Sequence, residues 1–231
     1  MAFQPTLASL PSSLRLGYLD DVTIGGNMSA VENDVNIVLT SGKVIGLSLN
    51  SAKCEIITQS EIPSGLSISN FRCVTPEDSV LLGAPLLTGS ALDTALSDKC
   101  TELATAESRL SLISAHDALM LLKSSLSTPK LLHLLRSSPC TGHSTLATND
   151  NTLRHCVSGI TNCGLTDDQW IQASLPVKAG GLGLRRATQL APSAYQAAFS
   201  ATTVLQSRVL NGSNVTMSCG MRTQHWQPGR A

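Results

Sequence analysis

Charge is scarce in this sequence. Charged side chains make up 14% of its 231 residues, against roughly 25% in ordinary soluble domains. Disorder driven by high net charge is thereby excluded. The 16 basic and 16 acidic residues cancel, which argues against a free-standing, strongly basic nucleic-acid binder. Aromatics are scarcer still, with three Phe, two Tyr and two Trp, so stacking on bases is a weak route to any nucleic acid. Long apolar runs are missing: none approaches the roughly 18 residues that cross a bilayer, and no membrane association is expected. Met1 to Pro5 form neither a basic nor an apolar stretch, so an intracellular setting, nuclear or cytoplasmic, is expected rather than secretion. Apolar side chains, in contrast, reach 42%. That is enough for a sizeable core in one large domain or two small ones.

Seven cysteines are present, an odd number at low density. They read as reduced thiols rather than a disulfide framework. Cys140, His143, Cys156 and Cys163 offer the one zinc-like grouping, but the Cys156–Cys163 step is too wide for a knuckle, and zinc is not expected. The three Asn-X-Ser/Thr matches at Asn27, Asn211 and Asn214 carry no weight without secretion.

Zero net charge hides a gradient. Residues 1–90 hold four bases and eight acids, or −4; residues 91–117 hold two and five, or −3; residues 118–231 hold ten and three, or +7. An acidic first part suits a divalent cation, and a basic last part suits phosphate. Ordinary surface charge accounts for the gradient equally well.

The pattern along the chain is α+β. Leu14, Leu16 and Tyr18 alternate with polar or small neighbours, Asp20-Asp21 interrupts, and Val22 and Ile24 resume before Gly25-Gly26: a β-hairpin with two carboxylates at its tip. Ser29-Ala30-Val31-Glu32 is a capping box that opens a helix through Val31, Val35, Val38 and Ile45, with Gly46 placed to end it. Short strands are expected near Cys54–Ile57 and Val80–Leu86, the latter bent at Gly83. From Ser90 the pattern is helical. Ser90-Ala91-Leu92-Asp93 caps a helix whose stripe is Leu92, Leu96, Leu103, Ala106, Leu110 and Ile113. Helices follow over His116–Leu126 and from Thr128-Pro129 to Ser138, and His133 reads as a packed helix residue. Residues 137–150 read as loop. Another helix starts at Thr166-Asp167-Asp168-Gln169, Gly180 to Leu184 form a glycine-rich turn, and Ala187 to Leu210 are helical with Pro192 inside. These readings divide the chain into a mixed part (1–90), a helical part (91–210) and a poorly ordered tail (211–231).

Two Asp-Asp pairs occur, and they differ. Asp167-Asp168 follows a helix-capping threonine, where negative charge complements the helix dipole; capping suffices. Asp20-Asp21 breaks an apolar hairpin where like charges repel and β-propensity is poor. A divalent cation held by oxygen ligands, Mg²⁺ or Mn²⁺, would neutralise that repulsion. A plain solvent-exposed turn is the alternative, since Asp is common in turns.

Gly17-Tyr18-Leu19-Asp20-Asp21-Val22-Thr23-Ile24-Gly25-Gly26 resembles the active-site hairpin of reverse transcriptases. Gly46-Leu47-Ser48-Leu49-Asn50-Ser51-Ala52-Lys53-Cys54-Glu55 resembles the family's next palm motif, which carries a lysine. Leu81-Leu82-Gly83-Ala84-Pro85-Leu86 resembles its primer-grip segment, in the same order and spacing. His116-Asp117-Ala118, Ser127-Thr128-Pro129-Lys130 and Gly180-Gly181-Leu182-Gly183-Leu184-Arg185 are similar to the region after the palm in non-LTR retrotransposon polyproteins.

The resemblance spans about residues 14–200. It implies a C-terminal palm piece over 1–90 and a thumb-like region over 91–210. The implied activity is RNA-directed DNA synthesis by two-metal nucleotidyl transfer on an RNA template and DNA primer. Asp20 would be a direct metal ligand and Asp21 a second or weaker one. Tyr18 and Gly83 would contact primer or nucleotide, and Lys53 would approach the pyrophosphate as charge stabiliser or general acid. A solvated strand-edge lysine is the alternative for Lys53. The family also places a metal-binding Asp on a strand before the hairpin and a Gln-Gly segment in the fingers. Met1 to Leu16 hold no Asp or Glu, so these 231 residues alone are expected not to polymerise, and a non-catalytic nucleic-acid- or protein-binding role is the alternative. The five histidines show no catalytic setting.

Overall fold

The computed structural model describes residues 4–209. The expected tail and the acceptor sites at Asn211 and Asn214 lie outside these residues. The fold is α+β, with short strands in pairs and helices making up most of the rest. Among the described residues no helix is long and apolar enough to cross a membrane. The chain divides into two compact units: residues up to Leu47 joined by the segment from Thr203, and Ser48–Thr202. The texture change near residue 90 is visible within the second unit, where the last strand ends at Pro85 and continuous helix begins at Ser90.

The first unit contains α1 (Gln4–Ser9), β1 (Leu14–Tyr18), β2 (Asp21–Gly25) and α2 (Met28–Val44). The strands form an antiparallel hairpin in the register Leu14↔Gly25 to Tyr18↔Asp21. Among the described residues β1 and β2 pair only with each other, which leaves both outer edges of the hairpin without a strand partner there. Gly17 lets Leu7 of α1 pack close to β1: a Cβ there would fall 2.5 Å from Leu7 Cδ1, and that side chain would have to turn aside. Helix α2 is capped by Asn27, whose side chain accepts the Ala30 N–H at 2.8 Å. The expected cap at Ser29 is thus displaced by two residues: an asparagine already stands where an acceptor first reaches a free N–H. At the other end Gly46, at φ 77, closes a Schellman motif, with Gly46 N–H donating to Lys43 O and Leu47 N–H to Gly42 O. Asp34 is fully buried on α2 and accepts the Ser12 N–H at 3.0 Å, tying the helix to the segment before β1.

The second unit begins with β3 (Glu55–Ile57) and β4 (Arg72–Val74), paired in parallel, and β5 (Val80–Leu81) and β6 (Ala84–Pro85), an antiparallel hairpin. Its helices are α3 (Ser90–Leu110), α4 (Ala115–Leu121), α5 (Thr128–Ser137), α6 (Ser144–Thr161), α7 (Asp167–Ser174) and α8 (Ala187–Val209, which runs past the unit boundary). Helix α4 runs into one π turn, Leu122–Leu126, before α5 starts with Pro129 in its first turn. Two apolar clusters hold these helices together. One gathers Leu103, Leu110, Leu122, Leu153, Val157, Trp170 and Leu184. The other gathers Leu92, Leu96, Leu131, Leu135, Leu146, Ala187 and Ala191. Helices α3 and α6 contribute to both, so they form the spine of the unit.

Four expectations are corrected here. Residues 137–150 are not a loop throughout, because α6 begins at Ser144. Ser90 does not cap α3: Gly89 is the cap residue, and the Ser90 hydroxyl donates instead to Asp78. Ile113 leaves the α3 stripe because the helix ends at Leu110. His133 is exposed rather than packed, its Nε2 3.2 Å from the Leu82 carbonyl in the β5–β6 turn. The capping box at Thr166 is present as expected, with Gln169 returning the bond.

Candidate functional site

The hairpin tip follows from its loop length. The register leaves two residues, Leu19 and Asp20, between paired Tyr18 and Asp21. Such loops demand positive φ at one or both positions. Only the first meets it here: Leu19 has φ 56, the pattern of a type II′ turn. A leucine in the left-handed region costs about 1–2 kcal/mol, and Leu19 also projects to solvent, 70% exposed. The tip is therefore a strained turn that carries an apolar side chain in water. Leu19→Gly is expected to raise stability by about 1 kcal/mol, the relieved strain exceeding the entropy that glycine adds to the unfolded chain. A urea midpoint that falls instead would show the turn is not under strain.

Asp20 and Asp21 are both exposed. Neither forms an ion pair or a side-chain hydrogen bond among the described residues. Asp20 occupies the turn and Asp21 opens β2, so the pleat does not force them to opposite faces as it would within a straight strand. Carboxylate oxygens are the hard ligands that divalent cations take. Among the described residues no group of three or more His, Cys, Asp or Glu side chains is placed to share an ion. Tyr18 flanks the pair, 59% exposed, with its ring in solvent.

The other expected site residues belong to the second unit. Lys53 ends a short 3-10 turn, Ser51–Lys53, just before β3. It is exposed and forms no ion pair among the described residues. Gly83 shares the β5–β6 turn with Leu82; φ values of 76 and 49 make it a type I′ turn, which explains the glycine. Gly83 also lines a cavity of about 410 Å³ with Asp78, Val80, Ser90, Thr94 and Asp98. Hydrogen bonds from Ser90 and Thr75 hold the Asp78 carboxyl below the usual carboxylate range. This cavity is negatively charged. The structure thus brings Tyr18, Asp20 and Asp21 together on one hairpin, with Lys53 and Gly83 on separate elements of the other unit.

The residues weighed for zinc serve other ends. Cys140 is buried in one apolar cluster and Cys156 in the other. Burial pushes the Cys140 thiol up to about 11. Burial, with the nearby Glu107 carboxylate, pushes that of Cys156 up to about 12. Both thiols are therefore protonated at physiological pH. Cys163 is exposed. His143 caps α6: its Nδ1 accepts the Thr145 N–H at 3.2 Å and its Nε2 lies 2.8 Å from Asp93.

Two features escaped the sequence reading. One is Asp150, buried on α6, which holds the first N–H groups of α8. The other is the approach of Lys123 to the glycine-rich turn: a Cβ on Gly183 would lie 3.0 Å from Lys123 Nζ. The glycine run signals the turn in sequence, but Lys123 comes from a separate helix. No family model, no curated protein and no solved structure matches this chain.

Proposed function

We propose that the chain is the C-terminal palm and thumb portion of a reverse transcriptase of non-LTR retrotransposon type. One observation carries this reading: two adjacent, exposed and unpaired carboxylates lie where a strained two-residue turn enters β2, Asp20 within the turn and Asp21 as the first residue of the strand. Neither capping nor an ion pair accounts for them, and mutual repulsion opposes them. In this reading Asp20 is a direct ligand of Mg²⁺ or Mn²⁺, and Asp21 a second one. Tyr18 lies beside the primer end, Gly83 belongs to the primer grip, and Lys53 neutralises charge on the leaving pyrophosphate. The substrates are an RNA template, a DNA primer and deoxynucleotides. Two neighbouring carboxylates hold one cation weakly; they do not position two cations and a nucleotide. These 231 residues by themselves therefore do not extend a primer.

The test is a Mn²⁺ titration of the ¹⁵N-labelled chain, followed by NMR. Amide signals of Tyr18 to Val22 are expected to broaden first, at sub-millimolar to millimolar metal, and to persist in the Asp20→Asn/Asp21→Asn variant. Broadening spread evenly over the other carboxylates, or unchanged in the variant, would remove the basis for this reading. Primer extension in Mn²⁺ that Asp20→Ala abolishes would overturn the statement that the chain alone is inactive. A second reading, a non-catalytic nucleic-acid-binding protein of retroelement type, rests on the basic balance of residues 118–231.

A further inference from the structure

We propose that the cleft between the last turns of α3 and α6 binds a small organic cation, a primary ammonium group on an aliphatic body. The two helices run parallel: their contacts proceed in step from Asp93 with His143, through Cys100 with Thr145, to Glu107 with Cys156. Their C-terminal ends therefore lie side by side, and each adds about half a negative charge. Between them is a cavity of about 390 Å³, within the size range of small-molecule sites. Its floor is apolar: Leu110, Cys156 and Ile160 line it, and the first two belong to the buried cluster beneath. Gly159 leaves it open, since a Cβ built there meets nothing within 4 Å.

Glu107 lines this cavity without a partner. Among the described residues four carboxylates are withdrawn from solvent: Glu32, Asp34, Glu107 and Asp150. The Asn36 amide donates to Glu32, the Ser12 N–H to Asp34, and the start of α8 to Asp150. Glu107 alone has neither a hydrogen bond nor an ion pair. A half-buried carboxylate over apolar groups is costly until a partner reaches it.

The polar lining decides what kind of ligand fits. The Ser108 hydroxyl donates to the Thr105 carbonyl at 2.9 Å, and the Ser111 hydroxyl to the Ser108 carbonyl at 2.8 Å. Both hydroxyls have spent their protons, so what they offer a ligand is lone pairs. With Glu107 they make the polar lining acceptor-only, which calls for a positively charged donor. An ammonium group carries three N–H donors for these three acceptors. No group of three or more His, Cys, Asp or Glu side chains occurs among the described residues, so a metal ion lacks ligands here. The protein's own cations do not fill the role. Arg109 is two residues from Glu107 and lies on another face of α3, and α6 has no basic residue in its last turn. The aliphatic floor takes the body of the ligand. The inference is independent of the hairpin and of the reverse-transcriptase reading.

The test is titration of the ¹⁵N-labelled full chain with hexylammonium chloride, followed by NMR, against sodium chloride at equal ionic strength and against hexanol. Saturable shifts confined to residues 104–111 and 156–160 are expected at millimolar hexylammonium, and neither control is expected to reproduce them. Glu107→Gln keeps the shape, removes the charge and is expected to weaken binding about tenfold. Glu61→Gln removes an exposed carboxylate elsewhere and is expected to leave the affinity unaltered. Gly159→Leu fills the cleft while Glu107 remains. It is expected to abolish binding with an unchanged circular dichroism spectrum, because the added side chain enters open space and leucine favours helix over glycine. Equal binding of hexanol would mean that the floor alone attracts the ligand, and the proposal would be wrong. Shifts spread over the other carboxylates, or an affinity unchanged in Glu107→Gln or in Gly159→Leu, would overturn it as well.

Discussion

Replacing Asp150 by alanine is expected to destabilise the helical unit by about 3 kcal/mol, the sum of a lost cap and lost buried hydrogen bonds to a carboxylate. Its carboxylate sits 2.6 Å from the Ala187 nitrogen, 3.2 Å from the Thr188 nitrogen and 2.5 Å from the Thr188 hydroxyl. Ala187 is the first residue of α8, so Asp150 caps that helix from 37 residues away. The negative charge also meets the positive end of the helix dipole. Without the carboxylate, the Ala187 N–H remains buried and unsatisfied, because Ala187 is 1% exposed. A unit of this size loses roughly 2–4 °C of melting temperature per kcal/mol, so a fall of about 6–12 °C is expected by circular dichroism at 222 nm. Asp150→Asn keeps one acceptor oxygen and is expected to lose about half as much. A change below about 1 kcal/mol in the alanine variant would show that water replaces the carboxylate at no cost, and the cap would carry little of the stability.

The same residue explains why α6 was invisible in the sequence. Its inward face is Leu146, Asn149, Asp150, Leu153, Cys156 and Val157, all buried. The spacing is that of an ordinary amphipathic helix. Two of the six positions, however, hold polar side chains, and the first half is rich in Ser, Thr and Asn, which compete with helix by bonding to nearby backbone. A reading by apolar periodicity therefore finds a loop. The partners that make the helix sensible, the N-terminus of α8 for Asp150 and the two apolar clusters for the leucines, are long-range and leave no local mark. Strand β4 was missed for a related reason: three residues, Arg72-Cys73-Val74, are too few to show a period, and their parallel pairing with β3 is not a hairpin.

Local signals fared better where local physics decides. The β1–β2 hairpin was legible because strict alternation surrounds a two-residue break, although the turn is Leu19-Asp20, one residue earlier than the expected Asp20-Asp21; Gly46 ended α2 because only a residue tolerant of positive φ closes a Schellman motif cheaply. The site itself divides along the same line. Asp20 and Asp21 are adjacent in sequence, and the hairpin keeps them adjacent, one in the turn and one opening β2. Lys123 and Gly183 lie far apart in the chain and come together only where the loop before α8 docks on the start of α5.

The glycine-rich turn before α8 allows the strongest steric prediction. Gly181→Ala is expected to cost about 3 kcal/mol, at the upper end of overpacking effects. A Cβ on Gly181 would stand 2.1 Å from the Leu175 carbonyl oxygen and 2.6 Å from that of Gln172. Both obstacles are backbone atoms at the end of α7, so no rotamer change relieves them. The loop must lift, and it breaks the bonds from Gly181 N–H to Pro176 O and from Leu182 N–H to Ala173 O. Lifting also draws Leu184 from the apolar cluster it shares with Trp170. Gly46→Ala supplies the contrast. Gly46 has φ 77 with nothing within 4 Å of a built Cβ, so it meets only the conformational penalty of the left-handed region, about 1 kcal/mol. Denaturant midpoints of the two variants separate the effects. Equal losses would mean that the turn yields as readily as open chain. The unequal loss expected here follows from a loop whose backbone lies directly against the end of α7 and is bonded there through Gly181, Leu182 and Gly183.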